Sequence, residues 1–391
     1  MPSKGDHTTP AEPRVHSRLS AVRRKRGMAA AGLASASGVS RQTIYAIEAG
    51  DYLPNTAVAL RLASALETRV EDLFQLDAAP LPPSRASQAE LIGAGDLMEG
   101  SPVEICRVDG RLVAVPASPA PWQMVPAGAL LTKPPRTSTP LRGSVRFLRN
   151  EEDAESAPNA HSRLLLAGCD PAASLLARRL QRAGVGLVTA QVNSSAALRL
   201  LQQRLVHVAG THLKDESGGE PNRAAIGAAF PRRGVAVFVF ASWEEGLVVA
   251  RGNPKAIRAV ADLTRPGVTL ANREKGSGSR QLLDRCLKTA GIPPRTVGGY
   301  HSDPTAGHLA AAWRVRAALA DCCVATSSAA RAFGLDFVPL ATERYDLVMR
   351  KERLELASVE RLLDVVAQGA FRRELEALCG YDARDAARRI A

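Results

Sequence analysis

Arg41, Gln42, Thr43 and Tyr45 stand together in a stretch where Ile44 and Ile47 recur at helical spacing. Ser40, just before them, is a residue type that caps helices by accepting a hydrogen bond from a first-turn backbone N–H. With that cap, the two isoleucines share a buried face and the other four side chains project outward. Arg and Gln at the exposed start of a helix can make paired hydrogen bonds to base edges in the DNA major groove. Upstream, Leu33 and Ala34 fall in a shorter helix, and Gly38 supplies the left-handed residue that a tight stop between two helices needs. The run Arg23-Arg24-Lys25-Arg26 puts positive charge where phosphates would lie, a contact that salt should weaken.

A second set of polar residues lies at the C-terminal ends of predicted strands, where open α/β sheets hold their ligands. The turns are Gly168-Cys169-Asp170, Asn193-Ser194-Ser195, Gly210-Thr211-His212 and the run Asn272-Arg273-Glu274-Lys275-Gly276-Ser277-Gly278-Ser279-Arg280. Small hydroxyls, amides and glycines beside helix N-termini could cradle an anion, with Arg273 and Arg280 adding charge. Each has a plainer alternative. Asp170 precedes Pro171, a helix start, and an ionised Asp170 facing the cleft would repel an anion, so either it caps the helix or the ligand is not a simple oxyanion. Ser194 and Ser195 serve as caps, as donors, or as both. The Gly276-to-Arg280 loop is a flexible turn or a close approach to an anion, and it lacks the spacing of a P-loop. His212 and His308 read as hydrogen-bonded structural imidazoles rather than ligands or bases. Tyr345 either closes the cleft or packs in the sheet.

No catalytic or metal-binding set is expected, and no cofactor. The six cysteines are scattered without a CxxC pair and read as buried thiols. GxSxG, HExxH, Walker and GxGxxG signatures are absent from the sequence. The alternative to a binding protein is an enzyme acting on an anionic small molecule, with an attached DNA-binding domain.

The elements that must position these residues divide a multidomain chain of 391 residues. Residues 1–16 read as a disordered arm, 17–76 as a helical unit, and 77–84, with Pro80, Pro82 and Pro83, as a stiff linker. Residues 85–159 read as a small β-rich connecting segment. Its hairpin pairs 103–108 with 111–115 about Asp109-Gly110, and further strands are expected at 128–132 and 144–148. Glu151-Glu152-Asp153 with Pro158 marks a second linker. From 162 to 382, predicted strands at 164–166, 186–192, 206–209, 235–241, 268–271, 322–325 and 337–340 alternate with helices at 172–183, 195–204, 255–262, 278–290, 305–319 and 358–378. That alternation predicts parallel βαβ units in one bilobed α/β domain or two linked lobes.

Lys and Arg number 51 against 39 Asp and Glu, a formal net charge of +12 that tolerates a polyanionic partner. No apolar run approaches bilayer length, so no membrane partner is expected, and the polar first dozen residues carry no secretory h-region, which points to the cytoplasm.

Residues 17–76 resemble the Cro/repressor-like (XRE-type) helix-turn-helix family. The likeness covers a basic helix over 17–26, the turn at Gly38, an amphipathic helix over 56–66 and the closing Val70-Glu71-Asp72-Leu73-Phe74. Ala30 departs from it, standing where that family usually has a phosphate-holding Gln. Residues 164–382 resemble the bilobed (type II) substrate-binding-protein-like domain of the molybdate-binding type, found fused behind helix-turn-helix units in bacterial regulators. That likeness rests on Gly210-Thr211-His212-Leu213, Gly246-Leu247-Val248-Val249, the 272–280 run, Gly307-His308-Leu309, the 332–340 run and Glu343-Arg344-Tyr345-Asp346-Leu347. Cys169-Asp170 stand where oxyanion binders usually present a hydroxyl. Together the resemblances imply a ligand-responsive transcriptional regulator. It would dock on double-stranded operator DNA as a homodimer and sense a small molecule or oxyanion, with molybdate or tungstate as candidate effectors.

Overall fold

A computed structural model describes residues 15–76, 86–92, 98–117, 127–136, 141–148, 163–214, 219–231 and 234–391. Most of the expected arm and both expected linkers lie outside these residues. The chain divides into two compact units, Met1–Ser84 and Arg85–Ala391.

In the first unit, strand β1 (Val15–Ser17) pairs antiparallel with β2 (Phe74–Leu76) and clamps five helices between them. The end of the expected arm is therefore a strand. The helices are α1 (Leu19–Lys25), α2 (Ala30–Ser37), α3 (Arg41–Ala49), α4 (Thr56–Ala65) and α5 (Val70–Leu73). Their local code is clearest around the turn: Gly38 ends α2 at φ 66°, Ser40 Oγ accepts from Thr43 N at 3.0 Å to cap α3, and Asn55 Oδ1 caps α4. Leu19, Leu33, Ile44, Ile47, Leu62 and Leu73 then close one shared core.

The second unit begins with β3 (Ser87–Leu91), β4 (Pro102–Val108), β5 (Arg111–Pro116), β6 (Ala129–Arg136) and β7 (Arg142–Phe147), which close into a barrel in the order β3-β5-β4-β6-β7. Asp109 and Gly110 both take positive φ, 49° and 76°, as a two-residue hairpin turn demands. The barrel does more than connect: Ile92, Val108, Val113 and Val115 share a core with Leu165, Val188 and Leu198 of the following domain.

That domain contains β8 (Arg163–Gly168), α6 (Ala173–Arg182), β9 (Gly186–Gln191), α7 (Ser194–Gln202), β10 (Val208–Thr211), α8 (Arg223–Ala229) and the long β11 (Val235–Val249). There follow β12 (Leu270–Ala271), α9 (Gly278–Thr289), α10 (His308–Arg316), β13 (Cys322–Thr326), α11 (Ser327–Ala332) and the long β14 (Asp336–Arg350). Helices α12 (Ala357–Ala367) and α13 (Gly369–Glu376) and strand β15 (Tyr381–Asp382) complete it. One eight-stranded sheet runs β12-β13-β11-β14-β10-β8-β9, with β15 on β11. The expected parallel pairing holds for β8 with β9 and β10 and for β12 with β13, but β11 and β14 run antiparallel to their neighbours. Those two 15-residue strands cross from one lobe to the other, and each lobe packs a separate core on both sheet faces. The helix expected at 255–262 is only a 3₁₀ turn at Val260–Thr264, because Asn253 and Ala256 hold positive φ. The single helix expected at 358–378 is broken at Gln368, whose backbone is extended. Among the described residues no helix is long and apolar enough to cross a membrane.

His207 Nδ1 accepts from Leu165 N at 3.0 Å just before β10. Burial, then the Arg353 charge, holds this imidazole down at about 4. The folded protein thus binds fewer protons here than the unfolded chain, so stability is present above pH ~6.5 and lost as the pH falls towards 4. From pH 7 to pH 5 this one group should remove about 2 kcal/mol. His207→Asn, which keeps an acceptor but does not titrate, should lose less over that interval in urea unfolding of the full chain. Equal losses in both proteins would contradict the assignment.

Candidate functional site

On α3 the side chains of Arg41, Gln42 and Tyr45 are exposed while Ile44 and Ile47 are fully buried beneath them. Thr43 is half-buried, and its hydroxyl lies 2.8 Å from that of Ser40, so both hydroxyls also serve the cap. Arg24 and Lys25 are exposed at the end of α1. Arg23 does not join them. Glu48 takes its guanidinium through two bonds of 2.6 and 3.0 Å and Met28 O takes a third, so Arg23 ties α1 to α3 instead of facing phosphate.

Where the two lobes meet, Cys169 follows β8, His212 follows β10 and His308 opens α10; the two histidines face Glu245 of β11, and Cys169 lies on the far side of His212. All four side chains are buried. Cys169 Sγ lies 3.6 Å from His212 Nε2, the other ring nitrogen of His212 faces Glu245 Oε2 at 3.5 Å, and His308 Nδ1 faces Glu245 Oε1 at 3.9 Å. One donor atom each from Cys169, His212 and His308 falls within 4.8 Å of the others. Trp243 and Tyr345 wall the cluster, with ring centroids 5.0 and 6.1 Å from that of His212.

The electrostatics are strongly coupled. Burial pulls the His212 imidazole down, but the charge of Glu245 and the Cys169 thiol outweigh it and push the ring up to about 10. Burial pushes the Cys169 thiol up, yet His308 and His212 bring it well below the ordinary thiol range. Glu245 is held far below the usual carboxylate range, as His212 and His308 outweigh its burial. Hydrogen bonding in the cluster is incomplete: His212 Nδ1, both ring nitrogens of His308, Glu245 Oε1 and the Tyr345 hydroxyl have no hydrogen-bond partner.

Of the expected ligand residues, the structure brings Cys169, Ser194, His212, Arg273, Gly278, Ser279 and Tyr345 to this junction. Ser194 Oγ accepts from His212 N at 3.1 Å, and Arg273 Nη1 donates to Ser279 Oγ at 3.3 Å. Gly278 lies so near His212 that a Cβ there would sit 2.1 Å from its carbonyl oxygen. Ser195 N reaches Gly276 O across the junction at 3.2 Å. Ser277 is spent as the cap of α9 and on Glu274 O. Asp170 takes the capping alternative, and the expected ligand roles of Thr211 and Arg280 are corrected. Asp170 faces Ala172 N and Tyr381, at 2.8 and 2.6 Å, and organises the start of α6; Thr211 turns to Asn222; Arg280 pairs with Asp284 and stacks on Tyr300. Sequence reasoning missed Glu245 and Trp243 and gave His308 only a structural part. No local signal marked Glu245, which lies beyond the predicted strand 235–241 and next to the exposed Glu244.

A helix-turn-helix family model matches residues 19–73, and a PBP superfamily domain model matches residues 177–367. The HTH-type transcriptional regulator YgzD of Bacillus subtilis is 36% identical over 63 residues, 16% of this chain and 96% of that protein. The chain belongs to the helix-turn-helix family. Behind that domain, YvgK of Bacillus subtilis is 29% identical over 231 residues, covering 59% of this chain and 74% of its own. The sulfate-binding protein SubI of Mycobacterium tuberculosis is similar at 17% identity and a TM-score of 0.44, over 56% of this chain and 86% of its own.

The PBP-like domain of this helix-turn-helix protein should be sensitive to bulk at the junction. Gly278→Ala forces a methyl against His212 and should cost about 1–3 kcal/mol. Gly227→Ala, in α8 with open space at the Cβ position, should instead stabilise by about 0.5–1 kcal/mol. Urea unfolding of both variants checks the contrast, and a neutral Gly278→Ala would contradict the close approach.

Proposed function

We propose that the chain is a ligand-responsive, DNA-binding transcriptional regulator. Its α3 reads operator DNA in the cytoplasm, as a homodimer on two half-sites, and its PBP-like domain closes on a small effector. The observation that carries this reading is the convergence of buried, incompletely bonded polar groups from both lobes onto Glu245 in a chain that also presents a recognition helix. Polar groups left unmatched in a closed interior are costly unless something binds them.

An oxyanion such as molybdate or tungstate is the effector class implied by the family resemblance, and Arg273, Ser194 and Ser279 are its natural donors. Charge argues against it. Glu274 already takes Arg273 through bonds of 3.0 and 3.2 Å, and the Glu245 carboxylate would face the anion. In a thermal-shift screen of the full chain, molybdate, tungstate, sulfate and phosphate should therefore each leave the melting temperature unchanged. A ligand at a hundred times its Kd would add about 2.7 kcal/mol, so a shift with molybdate or tungstate would restore the oxyanion reading.

A second reading, a thiol enzyme, is favoured by the row Cys169, His212 and Glu245, which has the order of nucleophile, base and orienting carboxylate. An enzyme of that kind would release nitrophenolate from an activated ester in a burst that Cys169→Ser abolishes, and a regulator would show none.

For the DNA contact, Arg41→Ala and Gln42→Ala should each cost about 1–3 kcal/mol on an operator selected from a random duplex library, and relax its sequence. Lys25→Ala should weaken all duplexes alike and lower the salt slope by about one. Unchanged specificity in both α3 variants would overturn the recognition-helix assignment.

A further inference from the structure

We infer that Cys169, His212 and His308 form a binding site for a soft or borderline transition-metal ion, zinc being the type case, which bridges the two lobes. Three observations carry this. The donors are one sulfur and two imidazole nitrogens, the set that selects zinc or copper over magnesium or calcium. Their spacing is close to a coordination shell. Bonds of about 2.3 Å to sulfur and 2.0 Å to nitrogen, at a tetrahedral angle, separate the two donors by roughly 3.5 Å. Cys169 Sγ and His212 Nε2 are 3.6 Å apart, and the His308 donor lies within 4.8 Å of both.

The third observation is what is left unmatched. His308 is wholly buried, and neither of its ring nitrogens has a hydrogen-bond partner. An imidazole so placed is costly unless one nitrogen is occupied. Glu245 completes the arrangement, facing the nitrogen of His212 that points away from Cys169 and, with its other oxygen, His308 Nδ1. A carboxylate behind a ligating histidine fixes the ring and strengthens it as a ligand. A dication beside Cys169 and Glu245 would also meet two buried acidic groups, which an anion could not do.

Cys169 and His212 belong to the first lobe and His308 to the second, so an ion held by all three favours the closed arrangement. That this ion is the effector rests on the proposed regulatory function; the site itself does not.

The test uses the full chain, reduced and stripped with a chelator, then titrated with cobalt(II) or zinc alone. One ion per chain should bind, and cobalt should give thiolate charge-transfer absorption in the near ultraviolet. Cys169→Ser should abolish that band, and His308→Gln should weaken binding at least tenfold while keeping it. Cys286→Ser, a half-buried thiol of α9, should change nothing. Absence of stoichiometric binding by the folded wild-type chain, or a band that survives Cys169→Ser, would overturn the site. Because His308→Gln retains the thiol, unchanged affinity in it would overturn the bridging of lobes even if Cys169→Ser failed to fold. Anisotropy on the selected operator separates the two claims. Binding of zinc with unchanged DNA affinity would overturn its effector role alone, and intact DNA binding without any metal uptake would overturn the site alone.

Discussion

A carboxylate with no access to water has to be met by positive charge or by donors, and Glu245 imposes that requirement on the whole ligand-binding domain. It sits on β11 beside a register shift between Glu245 and Gly246. An irregularity of that kind re-aims side chains locally. Gly246 is what lets β14 pass so close, because a Cβ at that position would lie 2.1 Å from Val338 O. His212 answers Glu245 from one lobe and His308 from the other. A group fixed on a strand that belongs to both lobes thereby receives one partner from each.

The same carboxylate decides what chemistry the cleft supports. Arg273, wholly buried and next to the cluster, would by itself make a strong anion site. Glu274 cancels it locally, and Glu245 and Cys169 add negative charge a short distance away. On the proposed reading, the junction suits a ligand with positive charge and affinity for sulfur and nitrogen. On that reading the departure at Cys169-Asp170 from a hydroxyl turn would be a change of ligand class. Asp170 bonds the start of α6 and Tyr381 through one carboxylate oxygen, and its other oxygen, also buried, has no hydrogen-bond partner.

Much of the fold was legible because it is written locally. Gly38, Ser40, Ile44 and Ile47 specify two helices and their turn within a few residues, and Asp109-Gly110 specify a hairpin in two. The strand–helix alternation after residue 162 likewise reports burial that each segment carries in itself. The long strands were not legible in full. Only 235–241 and 337–340 read as strand, since the rest of β11 and β14 is set by pairing with partners about a hundred residues away in the chain, a non-local effect that propensity does not carry. The cluster was legible as turns but not as a constellation. Thr211, Arg280 and Asp170 have the right types at the right strand ends, yet each finds a partner on its own side. Cys169 and His212, 43 residues apart, meet only because β8 and β10 are neighbours in the sheet. Arg23 shows the same limit in the helical unit: a basic run names four candidates for phosphate, and Glu48 removes one.

The central claim is that Cys169, His212 and His308, backed by Glu245, form one polar centre through which a bound ion holds the lobes closed. Hydrogen–deuterium exchange of the full chain, chelator-stripped and zinc-loaded, tests it most directly, read at peptides spanning 164–170, 208–213, 272–280 and 305–312. The account predicts that loading raises protection in all four together, two from each lobe. Equal exchange in both states, or protection confined to one lobe, would contradict it.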